Sequence, residues 1–539
     1  KCPRLLGDIL QAWDVVIVGG SIAGMRAAIA ASDAGATVTV LSSSQPSSFN
    51  DDAVVSGIAS SAGEVNSSEH AADTHRVGAD LCEGDVVSST TGSAVNHLAQ
   101  LEKWGLNIRR DRNGGPYLGQ LPGQSNPRTA GTGDSTLREV RSILEEQCIK
   151  RNIPRRGDIE ILDIVMKTNS VKGLVALDVQ SGEIFAIQSK ALILADAGFQ
   201  SAWNGDTQAM GTSSALVLRE GISLADLEFT SMHPLTVADT TLRLPLDLLG
   251  SGGVVIGADG QPMSMDDGPD ALARAIIDAG GASLDLTEIS RTAATWFASV
   301  AENLQSRCGI DYTEAQIPLM PIANMTIGGI PTDASGRVVN GGWDSIVKGL
   351  YAAGDAACSG LHGAALNSGD HLLGAISSGD AAGNASAAHA EVGKFSGSSE
   401  ISIALSEAHH MHDSMLSSVG SDGVSAGSIQ STLATTMQTH MGATRHAGGL
   451  VQAAASIEQL QGTAVVLSDS SPVMNTELVT LLRTQSLLSV AAAAVSAAQA
   501  REESRGNHVR SDFPTTDAEP PSHSLTSMDG TVTSLPLRS

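Results

Sequence analysis

Residues Asp14-Val15-Val16-Ile17-Val18-Gly19-Gly20-Ser21-Ile22-Ala23-Gly24 decide the reading of this chain. Five residues, four of them apolar, run into a glycine-rich turn. An Ala-rich helical stretch, Met25 to Ala34, follows, and a second apolar run, Ala36 to Leu41. The lengths and periods are those of a strand–helix–strand unit of a parallel sheet. In a GxGxxG loop the glycines let backbone amides approach a pyrophosphate held at the positive end of a helix. Here Ser21 takes the middle glycine's place, and Gly19, Gly20, Ser21, Ala23 and Gly24 are the candidates for that contact. No carboxylate closes the second strand; Ser42 and Ser43 stand where a ribose-binding Asp or Glu is usual. The plain alternative is a Gly-rich turn in an α/β protein that binds no nucleotide.

Outward from this unit, 539 residues suffice for two or more domains and a sizeable core. Aromatics are only 3%, so Val, Ile, Leu, Ala and Met must do the packing. A net charge of -26 argues against nucleic acid or an anionic membrane bound through a general basic surface. The five cysteines (Cys2, Cys82, Cys148, Cys308, Cys358) show no metal-ligand spacing and are expected as free thiols, with no metal site. No apolar run is expected to reach the roughly 18 residues that span a bilayer. A first residue other than Met suggests a processed or trimmed start. Residues 42–75 are Ser/Asp-rich and loop-like. Residues 182–195 suggest a hairpin strand leading into a second core strand, and 230–345, rich in Gly, Pro and Asp, an inserted domain. Helical periodicity dominates from about 400, and the Pro- and Thr-rich stretch from 511 suggests an extended, surface-bound tail.

Four ordered segments are similar to the succinate dehydrogenase and fumarate reductase flavoprotein family. They are Asp226-Leu-Glu-Phe-Thr-Ser-Met-His233-Pro234, Gln316 to Pro321 with Ile327-Gly-Gly-Ile-Pro-Thr332, Gly349 to Ala364, and Arg501-Glu-Glu-Ser-Arg-Gly-Asn-His508 to Pro514. L-aspartate oxidase shares some of these motifs. The resemblance implies an α/β fold: a Rossmann-like FAD-binding domain in two parts (1–204 and 331–395), an inserted α+β capping domain (205–330), a helical domain (396–510) and an extended tail (511–539). It also implies FAD, an iron–sulfur partner subunit and membrane-anchor subunits. The place implied is the matrix side of the mitochondrial inner membrane or a bacterial cytoplasmic membrane, held peripherally.

By the same resemblance Arg274 aligns with the family's proton-transferring arginine and His233 with its substrate-binding histidine. A solvated helix arginine and a structural histidine are the plain alternatives. Ser42, Gly57, Gly198, Asp355 and Leu372 fall among the cofactor contacts, and Asp196 replaces a threonine nearby. The dicarboxylate clamp is eroded. Asn324 stands for a histidine, Leu244 to Gly253 lacks the family's Thr and Glu, and Leu366 stands for the clamping arginine, with no Lys or Arg anywhere from Gly349 to Gly393. A leucine cannot hold a carboxylate bidentately. Asn50 occupies the place of the flavin-linking histidine, and no histidine precedes His70, so FAD is expected to bind non-covalently. Two readings follow: an FAD-dependent succinate/fumarate oxidoreductase subunit, or a catalytically degenerate relative kept for assembly.

Overall fold

A computed structural model describes residues 11–45, 56–61, 64–205, 209–417, 423–517 and 520–538; Cys2 and Asn50 lie outside them. The strand Gln11–Val18 forms the middle of an eight-stranded sheet. It is parallel to Val38–Leu41 on one side (Val15 opposite Val38) and to Glu183–Leu194 on the other (Val15 opposite Ala191). Val15, Val16 and Ile17 are fully buried, as expected of a parallel strand covered on both faces. Beyond Val38–Leu41 lies Arg155–Arg156. Beyond Glu183–Leu194 come Ile346–Ala352 and then antiparallel Arg337–Val339.

Several sequence expectations change. Residues 183–194 are one strand, not a hairpin arm followed by a second strand. Its first half pairs antiparallel with Val171–Asp178 and its second half runs parallel in the main sheet. Within 42–75, Glu64–Val77 is a helix; its buried face carries polar His70, Asp73 and Thr74, so the sequence shows no apolar period there. The helix Thr476–Ala500, with mean hydropathy 1.5, is long and apolar enough to cross a membrane, contrary to the expected lack of such a run. Most of its apolar stretch is buried, and it contributes Leu487, Val490, Ala494 and Val495 to the main core, which accounts for its apolar character.

Small residues replace aromatics in the packing. The helix Ile22–Asp33 lies against Asp370–Val392, where a Cβ on Gly379 would stand 2.4 Å from the Ala23 carbonyl oxygen, and one on Gly383 2.4 Å from that of Ala27. Residues Thr212–Leu227 pack in the main core through Leu216, Leu218 and Leu224. A separate apolar cluster, including Leu235, Leu244, Leu272, Ile276 and Leu284, forms the inserted unit around the antiparallel strands Val254–Gly257, Ala282–Asp285 and Ile317–Leu319. The pair Thr230–His233 and Ile322–Thr326 joins that unit to the sheet domain. The C-terminal segment is not simply extended: Ser522–Thr526 and Val532–Pro536 form a hairpin that pairs with Leu224–Ala225. Cys82, Cys148, Cys308 and Cys358 are free thiols.

Candidate functional site

The glycine loop sits where strand Gln11–Val18 ends, between its two parallel neighbours, the place where open α/β sheets bind ligands. Gly19 has φ +108°, and a Cβ there would meet the Ala195 carbonyl oxygen at 2.3 Å. A Cβ on Gly24 would lie 2.0 Å from the Gly19 oxygen. These two glycines are therefore demanded by backbone packing of loop on strand and helix. Ser21 is the N-cap of the helix. Its hydroxyl accepts from the Gly24 N–H (3.1 Å) and donates to the Ala195 carbonyl (2.6 Å), so the side chain folds back and leaves the loop's outer face as bare backbone. The substitution that weakens the motif in sequence thus costs no access.

A cavity of about 270 Å³ runs over this loop. Gly19, Gly20, Ser21, Ala23, Ser42, Asp355 and Leu372 line it together; Gly24 lies beneath the loop, and Gly57 and Gly198 do not line it. Gly57 spends its N–H on Asp247 (2.9 Å), and a Cβ on Gly198 would strike the Thr326 hydroxyl at 2.3 Å. At one end of the cavity are Ser42 to Ser44, Ile159 to Ile161 and the ion pair of Arg483 with Glu160 (3.0 Å). Burial pushes the Glu160 carboxyl up, and Arg483 opposes that shift. At the other end Asp355 pairs with His371 (2.7 Å). Burial disfavours both charges, but each partner outweighs it, so Asp355 is held low and His371 raised. Sequence reasoning missed Glu160, Arg483 and His371. Glu160 and Arg483 are 323 residues apart, and no spacing signals such a pair.

Asp355, His371 and Ala375 also border a second cavity of about 60 Å³, which reaches Met325 to Ile327 and His362. Adjacent to Met325, Asn324 sits at a bulge opposite Ser231 and Met232, with its side-chain oxygen buried and without a hydrogen-bond partner. His233, one residue beyond Met232, is buried and bonded through Nε2 to the Leu244 carbonyl (2.7 Å). Burial lowers its pKa to about 4, so the ring is neutral. Arg274 donates to the Gly506 carbonyl (2.6 Å). One helical turn before it, Asp270 accepts from the Ser231 hydroxyl, the Met232 N–H and the Leu366 N–H (2.8, 2.8 and 3.0 Å). This buried carboxylate, which sequence reasoning did not single out, fastens the strand of His233 to the loop of Leu366. A guanidinium also reaches this region from an unforeseen position. Arg243, 6% exposed, is close enough to His233 to help hold its ring neutral, and its Nη2 donates to the Ala323 carbonyl (3.4 Å).

A cavity open along bare loop backbone, with a helix N-terminus beneath and an inserted cap beyond one end, suits an extended dinucleotide. It is the arrangement of FAD-dependent oxidoreductases. The FAD binding domain profile matches residues 14–372, and that of the fumarate reductase flavoprotein C-terminal region matches residues 430–536. The chain belongs to this FAD-binding family, in its succinate dehydrogenase and fumarate reductase flavoprotein branch, and its cofactor is FAD. It is 26% identical to the succinate dehydrogenase flavoprotein subunit of Rickettsia bellii, over 96% of this chain and 93% of that one. With the fumarate reductase flavoprotein subunit of Mycobacterium tuberculosis it shares 29% identity, over 94% and 93%. The FrdA chain of an E. coli quinol fumarate reductase variant superposes with a TM-score of 0.90 at 24% identity, over 98% and 97%.

Proposed function

We propose that the chain is the FAD-carrying subunit of a complex II-type assembly, interconverting succinate and fumarate and passing electrons to an iron–sulfur subunit. The observation that carries this reading is that the loop cavity shares Asp355 and His371 with a second cavity, which reaches the strand that bears Asn324. Gly19, Gly20, Ser21 and Ala23 would hold the pyrophosphate, Ser42 and the Glu160–Arg483 pair the adenosine end, and Asp355 and Leu372 the flavin end. Bound there, FAD would supply two-electron hydride chemistry. Arg274 would exchange the substrate proton. Arg243 and neutral His233 would face the carboxylates, and the cap core around Leu244 would exclude water. Relatives named as bacterial and as mitochondrial subunits support a peripheral place at a membrane with anchor subunits.

A second reading, in which fold and FAD persist but succinate chemistry is lost, is favoured by Leu366 in the clamping arginine's place and by the tie between His233 and Leu244. Visible absorbance of the purified chain with added FAD, followed by anaerobic addition of succinate, decides between them. A flavin band near roughly 450 nm that bleaches with succinate supports turnover, the bound flavin being the chromophore. A band indifferent to succinate and fumarate leaves the second reading, and a chain that takes up no FAD defeats both.

A further inference from the structure

Asp196 follows strand Glu183–Leu194 and lines the loop cavity beside Gly19 and Gly20. Its Oδ2 accepts from the Ser213 N–H at the start of helix Thr212–Arg219 (3.1 Å), whereas Oδ1 is buried and has no hydrogen-bond partner. Nearby on the same wall, the Gln200 side-chain oxygen is equally buried and unpartnered. This wall therefore presents acceptors to a ligand that itself brings a negatively charged pyrophosphate. The other charged groups on the cavity are Arg141, Glu160, Asp355, His371 and Arg483; Arg483 is engaged by Glu160 and His371 by Asp355. A carboxylate in this setting repels the dinucleotide, while its acid form turns the unpartnered oxygen into a donor.

We propose that FAD binds this chain with uptake of one proton at Asp196, whose acid form donates from Oδ1 to an acceptor atom of the dinucleotide. The proposal rests on the FAD reading above. Burial, with the Glu160 charge adding to it, already pushes this carboxyl up to about 6 in the free chain. Above that pH the proton must be acquired on binding, so affinity falls about tenfold per pH unit. Asp196→Asn keeps an oxygen for the Ser213 N–H and supplies an N–H donor without proton uptake.

The test is flavin fluorescence titration of the full apo chain with FAD from pH 5.5 to 8.5, with thermal midpoints confirming that each variant is folded. The wild-type Kd is expected to rise about tenfold per unit above pH about 6. D196N is expected to be flat across that range and about 100-fold tighter at pH 8, two units above the carboxyl's own value. D196A, which removes the charge without supplying a donor, is expected to be flat as well and to bind more weakly than D196N. H371Q, altering the histidine on this cavity that Asp355 holds above its ordinary value, is expected to keep the slope. A wild-type Kd independent of pH, a slope that survives in D196N, or a D196N chain that binds more weakly at every pH would each overturn the proposal and leave the FAD reading standing. Absence of FAD binding in every variant at every pH would remove both.

Discussion

Ser21 shows how much one hydroxyl can do in a cofactor loop. It satisfies one of the helix's orphan N–H groups and pins the loop to the neighbouring strand through Ala195. Ser21→Ala is expected to cost about 1 kcal/mol in urea unfolding, the usual value of an N-cap, and to weaken FAD by loosening the loop. Gly24 is less tolerant. Its Cβ would collide with backbone, the Gly19 oxygen at 2.0 Å, and not with a side chain able to swing aside. Gly24→Ala is therefore expected to destabilise by at least about 1–3 kcal/mol and to abolish FAD uptake, read by denaturation and by the absorbance of the reconstituted chain.

Among the elements, the C-terminal hairpin is held by charge as much as by strand pairing. His523 lies between Asp226 (2.5 Å) and Glu83 (3.1 Å), and Glu83 also accepts from Arg538 Nε (3.1 Å). Arg501 ties Glu228 and Glu503 beneath it. Burial alone would depress the His523 pKa, but the two carboxylates outweigh it and push it up to about 9. A raised folded pKa means that the stabilisation is complete below the ordinary histidine value of about 6.5 and is lost as pH climbs through about 9. His523→Leu is expected to lower stability by about 3 kcal/mol at pH 6 by leaving buried carboxylates short of a cation. The gap to wild type should close by pH 10, and a constant gap in denaturant midpoints would show that His523 contributes packing alone. Leu525 and Thr526, buried on the same strand, anchor the hairpin to Leu224–Ala225 independently of pH.

At the scale of the whole molecule, the cofactor cavity is assembled from Gly19, Glu160, Asp196, Asp355 and Arg483, which span most of the chain. A ligand there bridges the N-terminal unit, the strand Ile159–Met166 that carries Glu160 and the helix Thr476–Ala500 that carries Arg483 at once. FAD at 100 times its Kd is therefore expected to raise global stability by about 2.7 kcal/mol and to shift the thermal midpoint upward as one transition. If FAD moved only a minor transition, the three parts would be unfolding independently.

The strand and glycine loop were legible in the sequence because their physics is local: an apolar run needs burial on both faces, and the turn needs residues without Cβ atoms. The succinate dehydrogenase-type motifs carried the family for the same reason, as short stretches each tied to a backbone or side-chain task. The lack of any Lys or Arg between Gly349 and Gly393 could also be read there. Tertiary structure alone decided which distant residues meet and how the cavity is charged. Asp270 fastening Leu366 to the strand of His233, Arg243 beside that histidine, Glu160 closing on Arg483 and Asp196 facing the loop with an unpartnered oxygen all join residues far apart in sequence. Their roles follow from burial, which sets both the cost of a charge and the need for a partner, and burial is fixed only when distant segments meet.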